Sequence, residues 1–380
     1  INIMANNSTS TVPNLQYAYK IVDGTTNYIN AAYRCKIQGS FTGGGTLNIS
    51  IPYVRTDMAA NWSTFTGVLN VTGNQLRFNT ETDMSGGTLN LGDGVYMGHF
   101  SSGSATALSL TSKIGALSSS FATSTVSNGS YNVGYNNKEV TFAGKLNCTS
   151  VSKYGNAIWN LTSTESTSPI NIYAGTVRAR NSGGYITTGN IVIYSGGTLD
   201  GTGYVKNVTV QKGGILAAGI SATTTGTVTI DGSLTMNEGS TLKIKLRPYT
   251  NDKFAISGTV KFNNDTIFIN NIDRNVKDGD EITLFTGSGT RSGTYILYPS
   301  VPADGLVWDD SELLTGGILK IKSVSGIQSI TSGALVDVYS DSGIMLRRSI
   351  VYSKALKGLG HGLFIIKKSG EEKTAQQVVQ

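Results

Sequence analysis

Gly196-Gly197-Thr198-Leu199-Asp200-Gly201-Thr202-Gly203, with Val208-Thr209-Val210 close behind it, decides how the rest of this chain is read. A glycine pair lets the backbone turn with φ > 0. The residues that follow alternate along a short strand, Thr198 outward and Leu199 inward. Variants of the unit recur upstream as Gly44-Gly45-Thr46-Leu47, Gly86-Gly87-Thr88-Leu89 and Ala174-Gly175-Thr176-Val177. Downstream they are Gly213-Gly214-Ile215-Leu216, Gly239-Ser240-Thr241-Leu242 and Gly316-Gly317-Ile318-Leu319. Gly44 and Gly86 lie 42 positions apart, twice 21, and Gly175 and Gly196 lie 21 apart. The next intervals are 17 and 26, to Gly213 and Gly239. Self-similarity at such a period marks a repeat architecture, and these intervals suit the coils of a parallel β-helix with loops of varying size. One coil cannot bury its own apolar face, so stability is expected from stacking on neighbours. The β-crossover-β connection should be right-handed.

Between these units lie short strands of the same grammar, among them Leu69-Asn70-Val71, Ile191-Val192-Ile193, Val228-Thr229-Ile230 and Leu242-Lys243-Ile244-Lys245-Leu246. Gly, Asn or Asp bounds each of them, as strand–turn chemistry requires. Composition agrees. Charged residues are 14% of the chain and 47 of its 380 residues are glycine, against about 25% and 7% in ordinary soluble domains. Disorder would fit the polarity, but 18 tyrosines and the recurring β-branched residues argue for a packed β structure. The expected fold is all-β: a right-handed, single-stranded, pectate-lyase-like parallel β-helix over 1–322, with an N-terminal cap over about 1–40. A small C-terminal β module, sandwich-like, is expected over 323–380.

The stretch Val151-Ser152-Lys153-Tyr154-Gly155-Asn156-Ala157-Ile158-Trp159-Asn160-Leu161, followed by Ile170-Asn171-Ile172-Tyr173-Ala174-Gly175-Thr176-Val177, resembles the autotransporter-associated β-strand repeat. That family pairs a Lys-x-Gly-x-Gly-x-Trp-x-Leu strand with a Thr-x-Val-x-x-Gly-Thr-Leu strand. Here Asn156-Ala157 stands where the second glycine is usual. The segment from Gly279-Asp280-Glu281 through Leu306-Val307-Trp308-Asp309-Asp310-Ser311 to Gly317-Ile318-Leu319-Lys320-Ile321 is similar to the terminal coils of such passenger β-helices. The resemblance is carried by residues 140–322 and more loosely by 1–139. It implies a secreted or surface-displayed solenoid.

After Lys322 a Ser/Gly/Ile connector leads into Leu335-Val336-Asp337-Val338-Tyr339-Ser340, then Ser342-Gly343-Ile344-Met345-Leu346 and Leu359-Gly360-His361-Gly362-Leu363-Phe364-Ile365-Ile366. This order, with the Lys367-Lys368 tail, resembles the C-terminal sorting or adhesion module of secreted Bacteroidetes proteins. The resemblance implies export to the outer cell surface or medium. A small cap over the open helix end is the alternative for these residues. The chain begins Ile1-Asn2-Ile3 with no leader, as expected of a mature form or of a piece cut from a longer protein.

The net charge is +6, and residues 323–380 hold seven Lys/Arg against four Asp/Glu. No basic stripe with interleaved aromatics points to nucleic acid, and no apolar run approaches the ~18 residues that span a bilayer. Cys35 and Cys148 read as two buried structural thiols. No cofactor or metal site is expected, and no residue is assigned a catalytic role.

Parallel β-helices also host polysaccharide lyases and hydrolases, so paired acids deserve weighing. Asp278 and Asp280 flank Gly279, and Asp309, Asp310 and Glu312 lie beside Trp308; both groups read as solvated turn acids. Arg178 and Arg180 share a strand face and suit an acidic sugar, with an exposed polar face as the plainer reading. His99 is placed in a loop and His361 in the C-terminal module, both as exposed or coil-edge histidines without a triad partner. Tyr17, Tyr19, Tyr28 and Tyr33 form either a carbohydrate-stacking face or an aromatic N-terminal cap. The expected function is a non-enzymatic, adhesin-like scaffold, secreted or on the outer cell surface, that contacts glycans or host or bacterial surface molecules. The alternative is a carbohydrate-active enzyme, or the accessory β-helix of one whose catalytic domain lies upstream.

Overall fold

Leu199 is fully buried in the strand Gly197–Gly201, and the parallel ladders on either side place Val177 and Leu216 directly against it. The same column continues through Trp159 in one direction and through Leu242 and Ile267 in the other. A second column runs Val151, Ile170, Ile191, Val208, Leu234, Val260, again in parallel register. The computed structural model describes residues 2–3, 14–323, 333–360, 362–370 and 375–379. In it the repeats form a parallel β-solenoid of about 12 turns. Strands account for 55% of the chain and helix for 1%.

The core is the inside of the coils. Along each strand the burial alternates, as in Ile170-Asn171-Ile172, where both isoleucines are buried and Asn171 is half-buried. Period-2 alternation sends every second side chain to the interior, and parallel in-register stacking then lines up like residues. At Gly196-Gly197 the two glycines do different work. Gly196 has φ +86 and turns the chain, whereas a Cβ on Gly197 would lie 2.3 Å from the Ile172 carbonyl oxygen of the previous coil. At Gly86-Gly87 neither residue adopts positive φ, so that pair is kept for close approach rather than for turning.

The parallel ladder already includes the described part of the segment expected to cap the N-terminus. Asn14–Leu15 pairs with Cys35–Ile37, Ala18–Lys20 with Ser40–Gly43, and Thr26–Ala31 with Thr46–Met58. Tyr19 stacks on Phe41 with centroids 5.3 Å apart, while Tyr17 and Tyr28 are exposed. Both cysteines are free thiols. Cys35 is buried against Thr56, and Cys148 is half-buried with its pKa pushed up to about 11 by burial.

Packing divides the chain into two compact units. The first comprises Ile1–Arg274, Ile282–Pro299 and Ser311–Ile318 and holds the solenoid. The second comprises Asn275–Glu281, Ser300–Asp310 and Leu319–Gln380. Within it, Leu306 to Asp309 pairs antiparallel with Lys320 to Ser323, and Trp308 lies opposite Ile321. A four-stranded antiparallel sheet runs in the order Met345–Val351, Leu335–Ser340, Leu363–Lys368, Ala375–Val379. Its small core is Val336, Val338, Ala355, Phe364 and Ile366. Ile350, Tyr352, Leu356 and Leu359 pack against that core. No helix among the described residues is long and apolar enough to cross a membrane.

Candidate functional site

On one flank of the solenoid four short strands stack in parallel: Tyr204–Val205, Thr227–Ile230, Lys253–Ile256 and Phe285–Thr286. Val228, Ile230, Phe254, Ile256 and Phe285 point inward and are buried. Their outward neighbours fall into one row by register, Tyr204 beside Thr229, then Ala255, then Thr286. Two small side chains therefore follow a large ring, and the surface is hollow where Thr229 and Ala255 lie. A groove of about 330 Å³ opens there, walled by Tyr185 and Tyr204.

The residues after the first three strands are polar, and two of them, Asp231 and Ser257, line the groove. Lys206, Asp231 and Ser257 follow Val205, Ile230 and Ile256 in successive coils, so the ladder itself brings them together. Lys206 Nζ donates to Asp231 Oδ2 at 2.7 Å, and Ser257 Oγ donates to Asp231 Oδ1 at 2.7 Å. The Tyr185 hydroxyl donates to Oδ2 as well. The Lys206 ammonium also sits 4.3 Å from the centroid of the Tyr185 ring, a cation–π contact. These donors, the Lys206 hydrogen bond first, hold the Asp231 carboxyl far below the usual carboxylate range, and Asp231 in turn raises Lys206. Asp231 is thus a fixed anion. A carboxyl whose pKa is driven down is a poor general acid and a weak base near neutrality, but a well-oriented acceptor.

The residues singled out from sequence take other roles. Arg178 lies directly across the ladder from Asp200 and forms a bidentate pair, with Nε–Oδ1 2.8 Å and Nη2–Oδ2 2.7 Å. That satisfies the guanidinium and removes it as a receptor for an acidic sugar; Arg180 is exposed beside it. Asp278 Oδ1 accepts from the Ser323 amide and Asp280 Oδ2 from the Lys277 amide, so both hold backbone. Asp309 pairs with Lys322 at 2.6 Å. Glu312 begins a turn in which its carbonyl accepts from Gly316.

His99 requires a correction. It ends the strand Tyr96–His99 and is fully buried, stacked on Tyr131 at 5.0 Å and tilted against Phe78 at 5.8 Å. Its position alternates with Met97 into the core, which its loop-like sequence surroundings concealed. Burial lowers its pKa to about 4, so it is a neutral core ring. His361 lies outside the described residues. Among the described residues no group of three or more His, Cys, Asp or Glu is placed to hold a metal ion.

Two surface features were missed in the sequence. The groove is one: its polar residues are 25 and 26 positions apart, at the coil period, and only that periodicity could have linked them. The other is a ladder of half-buried tyrosines, Tyr135, Tyr154, Tyr173 and Tyr194, stacked with centroids 5.0, 5.1 and 4.4 Å apart. Its rings cover one another, so it presents edges, whereas Tyr204 in the groove is 37% exposed. No family model matches the chain, and no curated protein matches it.

Proposed function

We propose that this protein is a non-enzymatic scaffold that contacts glycans through the Tyr204–Asp231 groove, displayed on the outer cell surface or secreted. The observation that carries the reading is the pairing, in one groove, of an exposed tyrosine with a carboxylate locked by three donors. A sugar ring offers an apolar C–H face and a rim of hydroxyls. Tyr204, Thr229 and Ala255 suit the face, and Asp231 and Ser257 suit the rim, with Lys206 holding Asp231 in place. Few polar groups, rigidly placed in a concave apolar site, is the usual composition of a small-ligand site. The repeat resemblance to passenger β-helices and the C-terminal resemblance to a sorting module support display outside the cell, and fractionation of producing cells tests that location.

The groove is tested by binding to an array of neutral oligosaccharides, followed by titration calorimetry on any hit. Tyr204→Ala and Asp231→Asn should each weaken binding about tenfold or more, equivalent to roughly 1.4 kcal/mol, with the melting midpoint little changed. Array silence, or variants that bind as the wild type does, would count against the groove. Release of reducing ends from a bound glycan would instead favour the carbohydrate-active enzyme.

A further inference from the structure

Across the first coils of the solenoid a second face collects positive charge. Lys36, Asp57 and Arg77 lie side by side in register, and in the adjoining outward row Arg55 lies beside Gln75, which in turn lies beside Tyr96. Arg34 immediately precedes Cys35, whose ladder partner is Thr56, so it extends the row of Arg55. Strands spaced about 4.8 Å apart thus gather four cations around a single carboxylate, Asp57.

Those charges are unevenly satisfied. Arg77 donates to Gln75 and to the Ser104 carbonyl and lies 4.7 Å from the centroid of the Phe100 ring. Asp57 Oδ2 accepts from the Gly103 amide. Arg55 is only 9% exposed, yet its one ion pair is a long contact of 3.5 Å to Asp57, and it donates no hydrogen bond within the described residues. Arg34 and Lys36 have no side-chain partner among the described residues. The Arg55 guanidinium nitrogens keep a narrow contact with solvent and have no hydrogen-bond acceptor among the described residues, and a planar guanidinium fork matches a carboxylate or sulfate bidentately. At the rim, exposed Tyr33 and Tyr53 stand with centroids 5.7 Å apart. Burial and the neighbouring Arg55 charge both lower the pKa of Arg77, which agrees with an excess of cations.

We propose that this face binds an acidic polysaccharide, seating one carboxylate or sulfate oxyanion between Arg34 and Arg55 and a sugar ring on the Tyr33–Tyr53 pair. Nucleic acid fits less well, because the cations occupy a few adjacent coils rather than a stripe that tracks a backbone. The site shares its ligand class with the groove and stands on different residues.

The test measures binding of the intact protein to polygalacturonate, dextran sulfate, uncharged dextran and a single-stranded oligothymidylate. Expected are binding to one or both acidic polymers, none to dextran, and affinity that falls with added salt; which polymer binds identifies the oxyanion. The double variant Arg34→Gln/Lys36→Gln, at an exposed and a half-buried position, should lose at least tenfold in affinity. The charge-matched control Lys212→Gln/Lys261→Gln, at exposed positions, should lose less than twofold. Tyr53→Ala should weaken the polysaccharide several-fold and leave the oligothymidylate unaffected. Tyr204→Ala should bind the acidic polymers as wild type does, which separates failure of this face from failure of the groove. No binding to either acidic polymer, equal loss in the control, or tighter binding of oligothymidylate would overturn the proposal.

Discussion

Burial acts on His99 as a pH-dependent cost. Its ring is enclosed by Tyr131 and Phe78, and its pKa falls to about 4 from an ordinary value of 6.5. A depressed folded-state pKa means that the unfolded chain binds more protons between those values. The stability contribution is therefore complete above about 6.5 and is lost as pH falls toward 4, by about 3 kcal/mol for this shift. His99→Phe should remove that slope, whatever constant offset the larger ring adds. Urea midpoints of both proteins from pH 7 to pH 4 check it, and parallel curves would show that His99 does not titrate on unfolding. Lys153 makes a related point. It alternates inward with Val151, is 1% exposed, and donates from Nζ to the carbonyls of Tyr154, Gly155 and Ala174 at 2.6, 2.8 and 3.3 Å. Burial lowers its pKa to about 8. Neither residue's burial could be read from polarity, because stacking in a solenoid assigns the interior by alternation and not by residue type.

At the scale of the strand, inter-coil approach is tighter than side chains allow at certain glycines. Gly201 has φ +124, and a Cβ there would lie 2.0 Å from the Ala179 carbonyl oxygen, its own ladder partner. Gly201→Ala should cost at least about 3 kcal/mol, since backbone strain and a displaced ladder add. Gly94, at φ +67 with nothing within 4 Å of the added atom, should cost only about 1 kcal/mol as alanine. Equal denaturation midpoints for the two variants would defeat this account. The Gly-Gly-Thr-Leu strands were legible because the glycine pair and the inward leucine each carry a separate physical demand: glycine turns the chain at Gly196 and admits the neighbouring coil at Gly86-Gly87, and Leu47, Leu89 and Leu199 are all buried. The groove strands were less so. Tyr204–Val205 and Phe285–Thr286 are two residues long, too short for a pattern, and exist because their neighbours hold them in register.

For the solenoid as a whole, stability should be near-neighbour in character. Leu199→Ala removes a fully buried side chain packed between Val177 and Leu216, at a cost of about 2–5 kcal/mol. Hydrogen exchange should then accelerate most in the strands Gly175–Ala179, Gly197–Gly201 and Ile215–Ala217, and least in Thr46–Met58. Uniform acceleration along the chain would show a single cooperative unit instead. The sequence by itself determined the all-β class, the coil period, the inward Leu, Val and Ile columns and the strands Leu335–Ser340 and Leu363–Lys368, because these depend on patterns confined to one or two coils. Only the tertiary structure decided that Arg178 is neutralised by Asp200, that His99 is core, and that Lys206, Asp231 and Ser257 converge beside Tyr204. Those outcomes depend on which residue of one coil lands against which residue of the next, and loops of unequal length set that registration beyond the reach of any local pattern.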